Sequence, residues 1–245
     1  MSGLELFAVE GLPEVRPGDD LANLISTKAT LRTADVLVVA QKVVSKSEGK
    51  LRDLTTVEAS DEAKRIATQL VAAPDPRLVQ VILDESVRVL RSQRVLITET
   101  RHGFVCANSG VDQSNIGEPD IVTLLPDDPD ASARRIREGI HERAGVDVGV
   151  IVSDTFGRPW RLGIVNVALG VAGLPALIDL RGTPDDAGRE MHATVLAVAD
   201  DLASAAGLVM RKTARAPVVV IRGLGLVGDG HGRDLIRPAG EDVFR

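Results

Sequence analysis

Asp154 and Thr155 end the apolar run Val150-Ile151-Val152-Ser153 and are followed by Phe156-Gly157-Arg158-Pro159-Trp160-Arg161. A carboxylate and a hydroxyl are hard oxygen ligands of the kind Mg²⁺ or Mn²⁺ takes, and two guanidinium groups can meet phosphate or carboxylate oxygens in a bidentate fork. Gly157 lets the backbone pass close to a ligand. A strand edge of this composition can hold a metal and a phosphate together. It can also be a plain exit from strand to loop whose charges are solvated.

A second acid-bearing loop, Gly110-Val111-Asp112-Gln113-Ser114-Asn115-Ile116-Gly117, follows the strand-like residues 103–107. Alone it reads equally well as an ordinary turn, because Asn and Asp bond their own backbone and Gly supplies positive φ. Taken with Asp154, it makes a shared divalent site the better reading, since two carboxylates can converge on ions that bridge phosphate oxygens. A third cluster, residues 41–50, sets Gln41, Lys42, Lys46 and Lys50 in a loop directly behind the strand-like residues 35–40. Those lysines can reach nucleotide phosphates or stay solvated. They do not form a Walker A loop: Leu51 stands where Ser or Thr is required and Val44 where the first glycine should be.

These loops need elements to carry them. The pattern predicts a strand over 4–9, a loop through Pro13 and Pro17, and a helix from Asp19 or Asp20 to about Arg32. A strand over 36–40 follows. An amphipathic helix over 60–73 stops before Pro74, and Pro76 opens another through Asp84. Residues 94–98 and 104–107 form a hairpin around Arg101-His102-Gly103 that delivers Asp112 to an edge. Ala133, Ile136 and Ile140 recur at helical spacing within 130–143, with Gly145 as terminator. A strand over 146–152 then presents Asp154, an Ala-rich helix covers 194–210, and 216–221 is the last strand. No repeat, low-complexity tract or linker divides the chain, so residues 1–245 read as one domain.

Composition narrows the class. The 245 residues are 44% apolar but only 2% aromatic, so the core is built from Val, Leu, Ile and Ala. A net charge of −6 argues against a general nucleic-acid binder and leaves phosphate binding to local Arg and Lys. Cys106 is the single cysteine, which excludes an intrachain disulfide and a Cys-based zinc site and fits a reducing cytoplasm. Within Phe104-Val105-Cys106-Ala107 it reads as a small buried hydrophobe. No signal peptide or bilayer-spanning run is visible, so a soluble, cytoplasmic protein is expected. Gly223-Leu224-Gly225-Leu226-Val227-Gly228 spells the dinucleotide fingerprint in letters, but Asp229-Gly230-His231-Gly232 follows in place of a helix. A flexible glycine loop covering a ligand is expected there. His231 is the one histidine that its surroundings single out.

The stretches 12–21, 42–50, 110–115 and 153–161, taken in this order with 207–210 and 216–223, resemble the coenzyme F-420:L-glutamate ligase family over nearly the whole chain. The resemblance implies an α+β fold of two intertwined mixed α/β subdomains, neither Rossmann nor P-loop, pairing into a homodimer. It implies a reaction that joins L-glutamate to the carboxylate of coenzyme F-420-0 with GTP, through an acyl phosphate. It also implies a divalent cation, Mg²⁺ or Mn²⁺ in two ions, with potassium as a further ion. Residue by residue, Leu12, Pro13, Glu14 and Val15 would line the guanine nucleotide, with Gln41, Lys46 and Asn115 contacting it. Asp112, Asp154 and Thr155 would bind the metal, and Lys46, Asp112 and Asp154 would carry catalysis. GTP, L-glutamate and F-420-0 are the implied partners, without nucleic acid or membrane. The chain departs from the family pattern at 211–215, which leaves a third metal contact unassigned, and at Ile164 after Gly163. A related ligase with another acceptor, or a non-catalytic nucleotide or metal sensor, are the alternative readings of the same residues.

Overall fold

The computed structural model describes residues 3–113, 119–210 and 216–242. Asn115 and the 211–215 loop therefore lie outside the described residues. The fold is mixed α and β. Its centre is a sheet of β1 (Glu5–Ala8), β2 (Val36–Ala40), β8 (Gly149–Arg158), β9 (Arg161–Ala172) and β12 (Val218–Arg222), in the order β1-β12-β2-β8-β9. Only β2 and β8 run parallel; their neighbours pair antiparallel.

The central strands are apolar on both sides because both faces are covered. Leu37, Val39, Val150, Val152 and Val220 pack with residues of α1 (Leu21–Lys28) and α5 (Pro129–Ala144). Val36, Val38, Ile151, Val219 and Ile221 pack on the other face with α6 (Val198–Met210). Asp20 caps α1 by accepting Asn23 N–H, and Gly145 ends α5 in the left-handed region at φ 65°. The two-residue strands β10 (Ile178–Asp179) and β11 (Val195–Leu196) pair beside this body.

A parallel pair needs a long crossover. Here the segment between β2 and β8 carries a second core, made of Leu54, Ile66, Val79, Ile82, Leu96, Val122 and their neighbours. Around it stand α2 (Gln41–Ser47), β3 (Leu51–Asp53), α3 (Asp61–Gln69), α4 (Pro76–Asp84), β4 (Ser86–Arg91), β5 (Ile97–Thr100), β6 (Val105–Ala107) and β7 (Ile121–Thr123). β4-β5-β6 form one sheet and β3-β7 another.

Several sequence expectations change. Residues 41–47 are a helix, not a loop. The strand expected to stop at 152 runs on through Asp154 to Arg158 and returns as β9, with Arg158 paired to Arg161 across the turn. The glycine loop is not loose: an added Cβ would meet Ala176 N at 2.2 Å from Gly230 and Leu169 O at 2.0 Å from Gly232, so these residues are packed backbone to backbone on β9 and the segment that follows it. No helix among the described residues is long and apolar enough to cross a membrane.

Candidate functional site

The register of the parallel pair ends at Ala40 opposite Ser153. There β2 turns into α2 while β8 continues to Asp154. The carboxyl ends of adjacent parallel strands are where open α/β sheets take ligands. Alternation decides which way Asp154 points. Ile151 faces α6, so Ser153 and Thr155 do too, while Val150, Val152 and Asp154 face the side that carries Val44 of α2. Two residues on, Phe156 meets Phe104 edge to face at 6.3 Å, and the charge of Asp154 reaches the Cys106 thiol in β6.

Asp112 follows β6 on a stiff loop. Asn108, Ser109 and Gly110 are left-handed at φ 55°, 53° and 70°. Such backbone costs on the order of 1–3 kcal/mol per non-glycine residue unless its surroundings impose it. Ser109 shows what imposes it: its N–H donates to Thr98 Oγ1 at 3.0 Å and its hydroxyl lies 2.7 Å from those of Thr98 and Ser86. At Gly110 a Cβ would strike Leu125 at 2.6 Å. Asp112 then exchanges backbone hydrogen bonds with Thr123, and its Oδ2 lies 2.7 Å from Lys42 Nζ. Lys42 sits on α2, directly after β2, the parallel neighbour of β8.

Lys42 was hidden among the lysines of the sequence. Read as a helix, residues 41–47 put Lys42 and Lys46 four apart on one face, which is the signal that would have found it. Lys46 pairs with Glu14, and this joins α2 to the loop 12–15, where Val15 is buried, Leu12 is half-buried, and Pro13 and Glu14 are exposed. Gln41 is 2% exposed; its amide donates to Leu124 O at 3.0 Å, and Ser45 Oγ donates to the same carbonyl at 2.6 Å. Gln41 thus pins the helix.

Other expected ligands are not gathered at this edge. Thr155 lies on the α6 face, where its hydroxyl donates to Asn166 Oδ1 at 3.2 Å. Arg158 and Arg161 stand at the hairpin turn, roughly 13 Å of strand beyond Asp154, and Arg158 donates to Leu162 O at 2.5 Å. The only tryptophan, Trp160, is 80% exposed at that turn, and Leu162 97%.

The donor chemistry suits a hard cation. Asp112 and Asp154 offer carboxylate oxygens, and the Lys42 ammonium lies on Asp112 Oδ2. Among the described residues no group of three or more His, Cys, Asp or Glu side chains is placed to hold a metal.

Cys106 is buried, and its thiol is pushed up to about 12, first by burial and then by the Asp154 charge. It therefore stays protonated and non-nucleophilic across the neutral range. Cys106→Ala is expected to keep full turnover at a stability cost of about 1 kcal/mol. Assay of the variant beside iodoacetamide labelling of the native protein checks this, and loss of turnover in a folded variant would refute it.

The described residues form two clefts. One of about 290 Å³ is lined by Phe104, Leu169, Arg134, Arg233, His102 and His231 among others; one of about 230 Å³ lies between residues 18–22, α2 and α5. Neither Asp112 nor Asp154 lines them.

Compared with known proteins, residues 11–223 match the family model described as F420-0:Gamma-glutamyl ligase. The chain is 47% identical to the Coenzyme F420:L-glutamate ligase of Methanopyrus kandleri over 255 aligned residues, covering 100% of both chains. It is 46% identical to the Haloarcula marismortui protein of that name, covering 99% of this chain and 96% of the relative, and 45% identical to that of Methanocaldococcus jannaschii, covering 99% and 95%.

Proposed function

The chain belongs to the F420-0:gamma-glutamyl ligase family, and on that premise we propose that it joins L-glutamate to the carboxylate of coenzyme F-420-0, using GTP. What supports this reading is that β8 carries Asp154 past the end of a parallel pair whose other strand leads into α2, and that α2 sets Lys42 on Asp112 and Lys46 on Glu14.

A carboxylate is a poor acyl donor and must be activated. In the proposed sequence an oxygen of the acceptor carboxylate attacks the γ-phosphorus of GTP and GDP leaves, giving an acyl phosphate. The amine of L-glutamate then attacks the acyl carbon, phosphate leaves, and the amine loses a proton. Asp112, Asp154 and Thr155 would hold divalent cations, which when bound neutralise phosphate charge. Of these, Thr155 would join only by turning its hydroxyl from Asn166 or by using its backbone. Lys46, released from Glu14, sets an ammonium against the phosphates, while Leu12, Pro13, Glu14, Val15 and Asn115 would receive the guanine nucleotide and Gln41 would position α2. Catalysis is then mostly positioning and charge neutralisation, as is general for phosphoryl transfer.

Residues 1–245 would act as one catalytic unit, with the two cores as intertwined parts, neither Rossmann nor P-loop. The exposed Trp160, Leu162 and Ile164 on the β8–β9 hairpin support pairing of two copies. Phosphate release from GTP tests the reading. It should require both F-420-0 and L-glutamate; release independent of either, or binding without release, would favour a different acceptor or a sensor.

A further inference from the structure

The body that carries Asp112 is joined to the central sheet along one line. The chain enters it through α2 and leaves it after β7, and the two crossings are tied to each other: Gln41 Nε2 and Ser45 Oγ both donate to Leu124 O, at 3.0 and 2.6 Å. A body held along a single line can swing about it. Its rotation is set by what it meets away from that line.

Away from it, the hairpin of β5 and β6 meets the sheet at a small apolar cluster. Phe104 and Leu125 come from the segment between β2 and β8, Leu169, Phe156 and Val167 from β8 and β9, and Ile236 from the C-terminal segment. Ile236 stands against the hairpin turn itself, since a Cβ on Gly103 would lie 3.4 Å from its Cδ1 and 3.5 Å from its Cγ2. The segment that brings it there is anchored on the central body. Gly230 N–H donates to Leu174 O at 2.9 Å, and Gly232 N–H donates to the buried Asp130 at 2.6 Å. One short helical turn, Gly232–Leu235, then carries Ile236 across to the hairpin. Beside this contact the joint is not filled: the cleft of about 290 Å³ lies between the turn, the start of α5 and the segment 231–236. The turn has room to shift, with Ile236 against it.

We infer that Ile236 is a positioning residue, a latch that fixes the rotation of the Asp112-bearing body relative to the strand that carries Asp154. The inference rests on the ligase reading above and adds to it how the two acids are kept in one arrangement. A misplacement of about 1 Å can cost on the order of a hundredfold in rate, so such a latch acts on kcat. Gln41 and Lys46 stand on α2, at the hinge itself, and do not move with the hairpin.

The test compares the native full chain with Ile236→Ala and Ile236→Val, by steady-state turnover of F-420-0, GTP and L-glutamate and by amide hydrogen exchange without ligands. Ile236 is half-buried, so both variants are expected to fold. Ile236→Ala should lower kcat roughly ten- to hundredfold, with KM for GTP within about threefold. It should also speed exchange over 97–107 by about tenfold or more, while 149–156 and 218–222 exchange as in the native protein. Ile236→Val keeps the branch at Cβ and should recover most of both. Native kcat in a folded Ile236→Ala protein, or exchange over 97–107 that is unchanged or rises equally in the central sheet, would overturn the latch. Absence of glutamyl product from the native protein would remove the ligase reading, and the exchange measurement alone would then decide the latch.

Discussion

Asp154→Asn should lower turnover by about a thousandfold or more while leaving the folded protein intact. The substitution keeps the shape of the side chain and removes one negative charge from the edge where β8 passes α2. Loss of a single preorganised electrostatic contact at a reacting phosphate is worth on the order of 10²–10³, and loss of a cation ligand adds to that. Asp154 lies past the fully buried part of β8, so its stability effect should stay near 0.5 kcal/mol, a shift in Tm of about 2 °C at this chain length. Asp112→Asn should act in the same direction, with a further change from breaking the contact to Lys42. Parallel measurement of turnover and thermal unfolding checks both variants. Native-like turnover in a folded Asp154→Asn protein would remove Asp154 from the chemistry.

The largest stability effect is expected at Asp130, which does no chemistry in this account. Its carboxylate is buried in the first turn of α5, where Oδ1 accepts Val171 N–H at 2.8 Å and Gly232 N–H at 2.6 Å. One oxygen thus ties β9 and the glycine loop to α5. Space around it is tight, since a Cβ on Gly170 would lie 2.1 Å from Pro129 O. Asp130→Ala would orphan two buried N–H groups at about 1–3 kcal/mol each. That corresponds to a fall in Tm of roughly 10 °C, at about 2–4 °C per kcal/mol. Asp130→Asn keeps an acceptor oxygen and should lose much less. Calorimetric unfolding of the two variants decides, and an unchanged Tm in Asp130→Ala would contradict this role.

Legibility followed the local signals. Pro76 at the first turn marked α4 to the residue, and Gly145 marked the end of α5, because caps and prolines act within a few residues. The hairpin of β5 and β6 was visible from its turn, but β4 was not, since its exposed Arg88 and Arg91 obscure any alternation. Helix α2 escaped notice for a physical reason: Val43 and Val44 are poor helix formers, Ala40 supplies no cap, and the hydrogen bonds to Leu124 that hold it come from far along the chain. The β8–β9 hairpin escaped because charged and hydroxyl residues in 153–158 look like a loop when pairing with β9 is unknown. That one difference moved Arg158 and Arg161 away from the site and turned Thr155 to the opposite face. The acids at 112 and 154 were legible as two acid-bearing segments; that Lys42 pairs with Asp112 was not.

The most direct measurement of the central claim is identification of all products when the full chain is incubated with F-420-0, GTP, Mn²⁺ and L-glutamate, by mass spectrometry of the coenzyme and chromatography of the nucleotide. The account predicts a glutamyl amide of F-420-0 formed together with GDP and phosphate, and little product when ATP replaces GTP, since a base read by hydrogen bonds is not replaced by one with exchanged donors and acceptors. Equal turnover with ATP would contradict the guanine site, GMP with pyrophosphate would contradict the acyl phosphate, and absence of any glutamyl product would contradict the ligase itself.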